Sequence, residues 1–360
     1  MTSHAPKALN ALGQSLWLDN ITRDLLDSGT LQRYIDQKSV TGLTSNPTIF
    51  DNAISKSAWY DKEIRTQLEA GLKGEELFFT LAVQDLSRAA DLFLPIYHST
   101  GTVDGFVSLE VSPLLAYDTQ ATVEQASKLH KQANKPNLFI KIPGTPEGLP
   151  AIEEAIFAGV PVNVTLLFST DHYVAAAGAY MKGLERRVAA GLSADVRSVA
   201  SLFLSRWDVA VTEKVPAALR NTLGVAVGKQ AYKAYRDIID SDRFQRLENV
   251  GARPQRLLFA STGTKDKNAS DTLYVEGLAA PNTVDTMPEG TLLAFADHGN
   301  IPTAVPRDGG DFQAVLDAHV KAGIDLTALA AKLQSDGAGG FVKSWHELLG
   351  AIDSKSKVLA

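Results

Sequence analysis

Asn137-Leu138-Phe139-Ile140-Lys141-Ile142-Pro143-Gly144-Thr145 sets one lysine inside an apolar run. Leu138, Phe139, Ile140 and Ile142 read as a short buried strand, with Asn137 before it and Pro143-Gly144 after it. Lysine is almost never buried without a partner or a task. Neighbours on a strand face opposite ways, so Lys141 points inward if Ile140 and Ile142 point toward helices. The strand is then apolar on its outer face, as in parallel sheets covered by helices.

Similar runs recur along the chain. Expected strands are Ser15–Asp19, Gly42–Asn46, Gly105–Val111, Leu138–Ile142, Val162–Phe168, Ala200–Leu204, Arg256–Ala260 and Asn282–Met287. Helical patterns lie between them at Thr122–Ala133, Gly148–Ala158, Asp171–Ala190 and Val209–Val215. The stretch from Trp59 to Thr100 and that from Arg206 to Pro254 each have room for two or three helices. Eight strands alternating with helices predict an α/β fold, a single closed (β/α)8 barrel with additional helices. Residues 1–14 are expected as an N-terminal segment, 15–310 as the barrel, and 311–360 as C-terminal helices of the same domain. Within that tail, DGG and the DGAGG of Asp336–Gly340 read as breaks between helices.

Composition narrows the function. The 360 residues are 45% hydrophobic and 21% charged, enough apolar material for a large core. A net charge of −6 leaves no basic surplus for nucleic acid. Without cysteine there is no disulfide framework, thiolate metal site or thiol nucleophile. MTSHAPKALNALGQ carries no apolar leader core, and no run reaches the roughly 18 apolar residues of a membrane span. The expectation is a soluble, cytoplasmic protein with no membrane partner.

Barrel enzymes gather their catalytic groups at the C-terminal ends of the strands. Those positions carry Asp19, Asn46, Glu110, Lys141, Asn163 with Thr165, and Ser201. An amine, two carboxylates, amides and hydroxyls converging there suit Schiff-base chemistry on a carbonyl substrate. A free lysine titrates near about 10.4, so its nucleophilic form is scarce at neutral pH. Burial favours the neutral amine and nearby carboxylates oppose it, so burial must win or the carboxylates must stand off. Alone, Lys141 would more simply be a strand-end lysine reaching solvent; together with Asp19 and Glu110, the catalytic reading prevails.

The segments LWLDNITRDL, TGLTSNPTIF, SLEVSPLLAYD, LFIKIPGT, VNVTLLFS, SLFLSRWD, FASTGTKDKN and FVKSWHELL together resemble the transaldolase family, in its long bacterial branch. The resemblance implies a cofactor-free, metal-free enzyme of the non-oxidative pentose phosphate pathway. It would move a dihydroxyacetone unit from sedoheptulose 7-phosphate to glyceraldehyde 3-phosphate, giving erythrose 4-phosphate and fructose 6-phosphate. By position, Lys141 matches the Schiff-base lysine and Asp19 the acid/base on the donor's C4 hydroxyl. Glu110 matches the carboxylate that works through a water, and Thr165 a hydroxyl that places it. Asn46 and Asn163 match amides holding the dihydroxyacetone hydroxyls, and Ser201 lines the same pocket. Arg206 matches a phosphate-binding arginine, against which a surface ion pair with Asp208 is the plainer alternative. Where many members read Ser-Phe-Arg after the seventh strand, this chain has Ser261-Thr262-Gly263. Ser261 aligns with the serine, and Lys265 is the nearest replacement cation. Fructose-6-phosphate aldolases share the fold and the lysine, but resemble a pattern with Tyr at Phe203 and Gln at Glu110. Phe203 cannot donate a proton, which favours transfer over release. A silent sugar-phosphate-binding barrel is the remaining alternative. Oligomerisation is left open.

Other signals are weaker. His346-Glu347 lacks the second histidine of a zinc-protease motif, because Gly350 stands there. Asp297-His298 is expected in a loop after the last strand, and Asp308–Asp311 as a turn and helix cap rather than a calcium loop. Trp59-Tyr60 and Phe78-Phe79 read as core.

Overall fold

The apolar runs become eight parallel strands: β1 Ser15–Leu18, β2 Val40–Leu43, β3 Val107–Glu110, β4 Leu138–Pro143, β5 Val162–Leu167, β6 Ser198–Phe203, β7 Arg256–Ala260 and β8 Val284–Met287. In the computed structural model, which describes residues 4–301 and 303–359, these strands close in chain order, with β8 against β1. Residues 1–3 of the expected N-terminal segment and residue 360 of the expected C-terminal helices lie outside the described residues.

Register decides which side chains meet. Glu110 on β3 pairs with Lys141 on β4, and Lys141 pairs with Asn163 on β5, so three polar residues stand side by side inside the barrel. Below them Trp17 fills the lower interior. Its indole Nε1 donates to Asp104 Oδ1 at 2.8 Å, and its ring lies against Gly42 and Phe139. A Cβ on Gly42 would come within 2.6 Å of both the Trp17 ring and the Phe106 carbonyl oxygen. Only glycine lets β2 pass at this point.

Helices cover the outside, and several expected boundaries move. β2 ends at Leu43 rather than at Asn46, because Asn46 caps the helix Pro47–Ser55 by accepting from Ile49 N at 3.1 Å. The helix expected at Val209–Val215 runs instead over Ser205–Val211, immediately after β6. Asp297-His298 ends the helix Glu289–His298 rather than lying in a loop. Asp308 and Gly310 form the expected turn. Asp311 sits at the start of the helix Phe312–Lys321 but makes no side-chain cap, because its carboxylate pairs with Lys229 at 2.7 Å. Tyr60, Phe78 and Phe79 are core, whereas Trp59 is 49% exposed.

The largest correction concerns the tail. Leu326–Leu359 is a single 34-residue helix that runs through the DGAGG stretch without a break. Of these glycines, Gly337 is the one packing requires, since the helix crosses the barrel mouth there. A Cβ at that position would approach Arg206 Nη1 and Leu166 Cδ2 to 3.1 Å. Leu166 itself adopts a left-handed backbone (φ 60°) at the irregular end of β5. Its carbonyl and that of Gly144 accept from Gln334 Nε2, at 3.0 and 3.1 Å, which ties the helix to the strand ends. Phe78, Phe79 and Trp345 seal the other side of the same helix. Among the described residues no helix is long and apolar enough to cross a membrane.

Candidate active site

A cavity of about 220 Å³ opens at the C-terminal end of the barrel, beneath the Leu326–Leu359 helix. At its base lies Lys141, which is only 4% exposed. Nζ donates to the Ser45 carbonyl at 3.1 Å and stands 3.3 Å from Glu110 Oε2. A carboxylate therefore does touch the amine. Glu110 is itself enclosed, and desolvation raises its pKa; the Lys141 charge counteracts this and the Asp19 charge adds to it.

Asp19 follows β1, with its backbone N–H held by Met287 O at 2.8 Å. Burial raises its pKa too, against the lowering effects of the Lys141 charge and of a 2.7 Å hydrogen bond from Thr44 Oγ1. Thr44 in turn contacts Thr286 Oγ1 at 2.7 Å. Asn163, fully buried, accepts from Ser201 Oγ at 2.7 Å and donates to Ser108 Oγ at 3.1 Å, so side chains of β6 and β3 fix its amide. Asn46 reaches the cavity from its helix-cap position. Thr165 Oγ1 and Glu110 Oε1 are buried without a protein hydrogen-bond partner. Buried polar atoms of this kind hold reactants or water.

The outer half of the cavity is cationic. Arg206 is not paired with Asp208, whose carboxylate accepts from Leu223 N, Gly224 N and the Tyr274 hydroxyl at 3.0, 3.0 and 2.7 Å. The guanidinium instead lies among the rings of Phe168, Phe203 and Phe341, 5.3 to 5.9 Å from their centroids. Desolvation lowers its pKa, and Asp336 partly compensates. Ser261, left-handed at φ 55°, shares a 2.8 Å hydroxyl contact with Ser205. Exposed Lys265 and buried Gly263 line the same cavity. Arg206, Ser261, Gly263 and Lys265 thus stand together at one end of the cavity, where guanidinium, ammonium and backbone N–H groups are the kinds of donor that suit an anion.

Of the residues expected from the sequence, Asp19, Asn46, Lys141, Ser201, Phe203, Arg206, Ser261 and Lys265 line the cavity itself. Glu110 and Asn163 lie beside Lys141 in the strand register, and Thr165 lies two residues further along β5, beside Pro143. Sequence reasoning missed Thr44, Thr286 and Phe341. The two threonines stand in or next to expected strands, where the inward alternation marks them. Phe341 had no such signal, because it follows the glycines read as a break.

A buried lysine beside two carboxyls, at the base of a cavity in the C-terminal mouth of the barrel with two cationic side chains in its lining, is the layout of a (β/α)8 enzyme of the amine-nucleophile class. The transaldolase/fructose-6-phosphate aldolase family model matches residues 16–352. The chain is 45% identical over 361 residues to the transaldolase of Mycobacterium bovis (strain BCG / Pasteur 1173P2), covering 97% of each chain. It is 43% identical over 372 residues to that of Mycobacterium ulcerans (strain Agy99), over 100% of both. Transaldolase 2 of Nostoc sp. (strain PCC 7120) is 38% identical over 369 residues, 97% of this chain and 96% of that one. The chain belongs to the transaldolase/fructose-6-phosphate aldolase family. It is an enzyme of the transaldolase kind, acting on sugar phosphates.

Proposed function

We propose that Lys141 carries the three-carbon unit as an imine, and that the donor and acceptor are sedoheptulose 7-phosphate and glyceraldehyde 3-phosphate. The supporting observation is the enclosed Lys141 Nζ, set between Ser45 O and Glu110 at the base of a cavity whose outer end is cationic. The neutral amine adds to the ketose C2, and the carbinolamine loses water to give the imine. Glu110, with its raised pKa, takes the amine's proton and supplies one to the departing hydroxyl. Thr165 Oγ1 holds the water released here and used again in the final hydrolysis. Asp19 then accepts the C4 hydroxyl proton. The C3–C4 bond breaks, its electron pair passes into the enamine, and erythrose 4-phosphate leaves as the aldehyde.

Asn163, fixed by Ser108 and Ser201, and Asn46 hold the hydroxyls of the retained unit until the acceptor aldehyde arrives. Reversal of the same steps on glyceraldehyde 3-phosphate gives fructose 6-phosphate and regenerates the lysine. Phe203 favours transfer over plain cleavage. Its ring packs against Phe168 and Phe341, with centroids 5.4 and 6.4 Å away, and offers no proton to the enamine.

Borohydride with fructose 6-phosphate tests this reading. Mass spectrometry is expected to find a reduced adduct on Lys141, and Lys141→Ala to lose both adduct and transfer. An undiminished adduct in that variant refutes the assignment. Rapid release of dihydroxyacetone without an acceptor would instead make the enzyme an aldolase.

A further inference from the structure

A second cavity, of about 300 Å³, lies at the opposite end of the barrel, where the N-terminal ends of the strands meet. Four arginines line it, Arg197, Arg236, Arg253 and Arg256, with Glu248 as the one carboxylate among its described lining residues. Two of the four have structural work. Arg256, at the start of β7, donates to Ser15 Oγ and Thr283 O at 2.7 Å, to Val103 O at 3.2 Å and to Asn282 O at 3.4 Å. Arg197 pairs with Asp195 at 2.9 Å and hydrogen-bonds Thr102.

The other two, Arg236 and Arg253, carry no ion pair among the described residues. Arg236 has a hydrogen bond with Tyr232, and its Nε is buried without a hydrogen-bond partner. Glu248 is engaged elsewhere, accepting from Gln245 Nε2 at 3.0 Å. Burial depresses the Arg197 pKa, and the Arg253 charge adds to the effect. Holding this many guanidinium groups together costs free energy unless an anion joins them. Phe139, Val199, Ile239 and Pro254 form an apolar part of the wall, and Ser198, Tyr235 and Asn282 also line it.

We propose that this basal cavity is a second ligand site, binding a small organic phosphate with its phosphoryl group on Arg236 and Arg253. Planar guanidinium forks match the several oxygens of a phosphoryl group better than one carboxylate does. The apolar wall receives the organic part, which inorganic phosphate lacks. The site lies below the catalytic residues on the same strands, since Val199 precedes Ser201 and Phe203 on β6.

Calorimetric titration with phenyl phosphate and with inorganic phosphate tests the proposal. The unmodified enzyme is expected to show two classes of phenyl phosphate site. Arg206→Gln with Lys265→Gln removes the class at the barrel mouth. Arg236→Gln with Arg253→Gln removes the basal class, each guanidinium lost weakening it about tenfold or more. Phenyl phosphate binds the basal class more tightly than inorganic phosphate. The Arg236→Gln, Arg253→Gln enzyme keeps its transfer kinetics, which also certifies its fold; should the pair disturb folding, each single variant serves. An unchanged titration in these variants, or a single class that vanishes with Arg206 and Lys265, overturns the proposal.

Discussion

Asp285, on β8, is a fully buried carboxyl to which the proposed chemistry gives no task. Burial pushes its pKa up to about 7, against one lowering hydrogen bond from Thr262 Oγ1 at 3.0 Å. Folding therefore favours the neutral acid. That contribution is complete below the unfolded value near 3.8 and is lost as pH rises through about 7. The parent enzyme is expected to lose stability progressively between about pH 4 and pH 7, by up to roughly 4 kcal/mol from this group. In Asp285→Asn that part of the slope disappears. Denaturant titrations of both proteins across the range decide it, and parallel slopes would contradict a neutral Asp285. At the barrel mouth, Arg206→Gln or Lys265→Gln is expected to raise KM for phosphorylated sugars about tenfold and to spare unphosphorylated ketoses. Equal effects on both substrate types would remove the phosphate role. Lys141, Asp19 and Glu110 were legible because charged residues at the ends of apolar strands violate the local pattern. Phe341 and Thr44 violate nothing, so only packing reveals them.

Among the elements, the Leu326–Leu359 helix shows where local sequence signals mislead. Glycine lowers helix propensity by about 1 kcal/mol relative to alanine, so DGAGG argues for a break. Contacts across the mouth outweigh that preference. Two alanine substitutions separate these effects. Gly339 is exposed with open space around it, and Gly339→Ala should stabilise the enzyme by about 0.5–1 kcal/mol with unchanged kinetics. Gly337→Ala gains the same propensity but crowds Arg206 and Leu166. It should raise KM for phosphorylated substrates several-fold with little change in melting temperature. Kinetics alike in both variants would show that Gly337 does not set the mouth. The strands, by contrast, were legible at nearly every position, since burial on both faces leaves a continuous apolar signature. Their ends were not, because a strand ends where a cap such as Asn46 captures the backbone.

For the molecule as a whole, barrel closure depends on one tight crossing. Trp17 and the Phe106 carbonyl leave Gly42 no room for a side chain, and the β1–β2 register shifts next to Trp17. Gly42→Ala should destabilise the fold by about 2–3 kcal/mol, read as a lower denaturation midpoint at constant slope. Wild-type stability in that variant would mean that Trp17 can swing aside. This crossing was hidden in the sequence, where Gly42 reads only as the start of an expected strand.

The order of assembly follows from where the mouth-covering helix falls in the chain. All eight strands are made before residue 326, so the barrel can form around Lys141 while the last 34-residue helix is still being synthesised. At cellular elongation rates that interval is roughly a few seconds. During it the nascent protein holds its reactive nitrogen under an uncapped opening, available to any passing aldehyde or ketone.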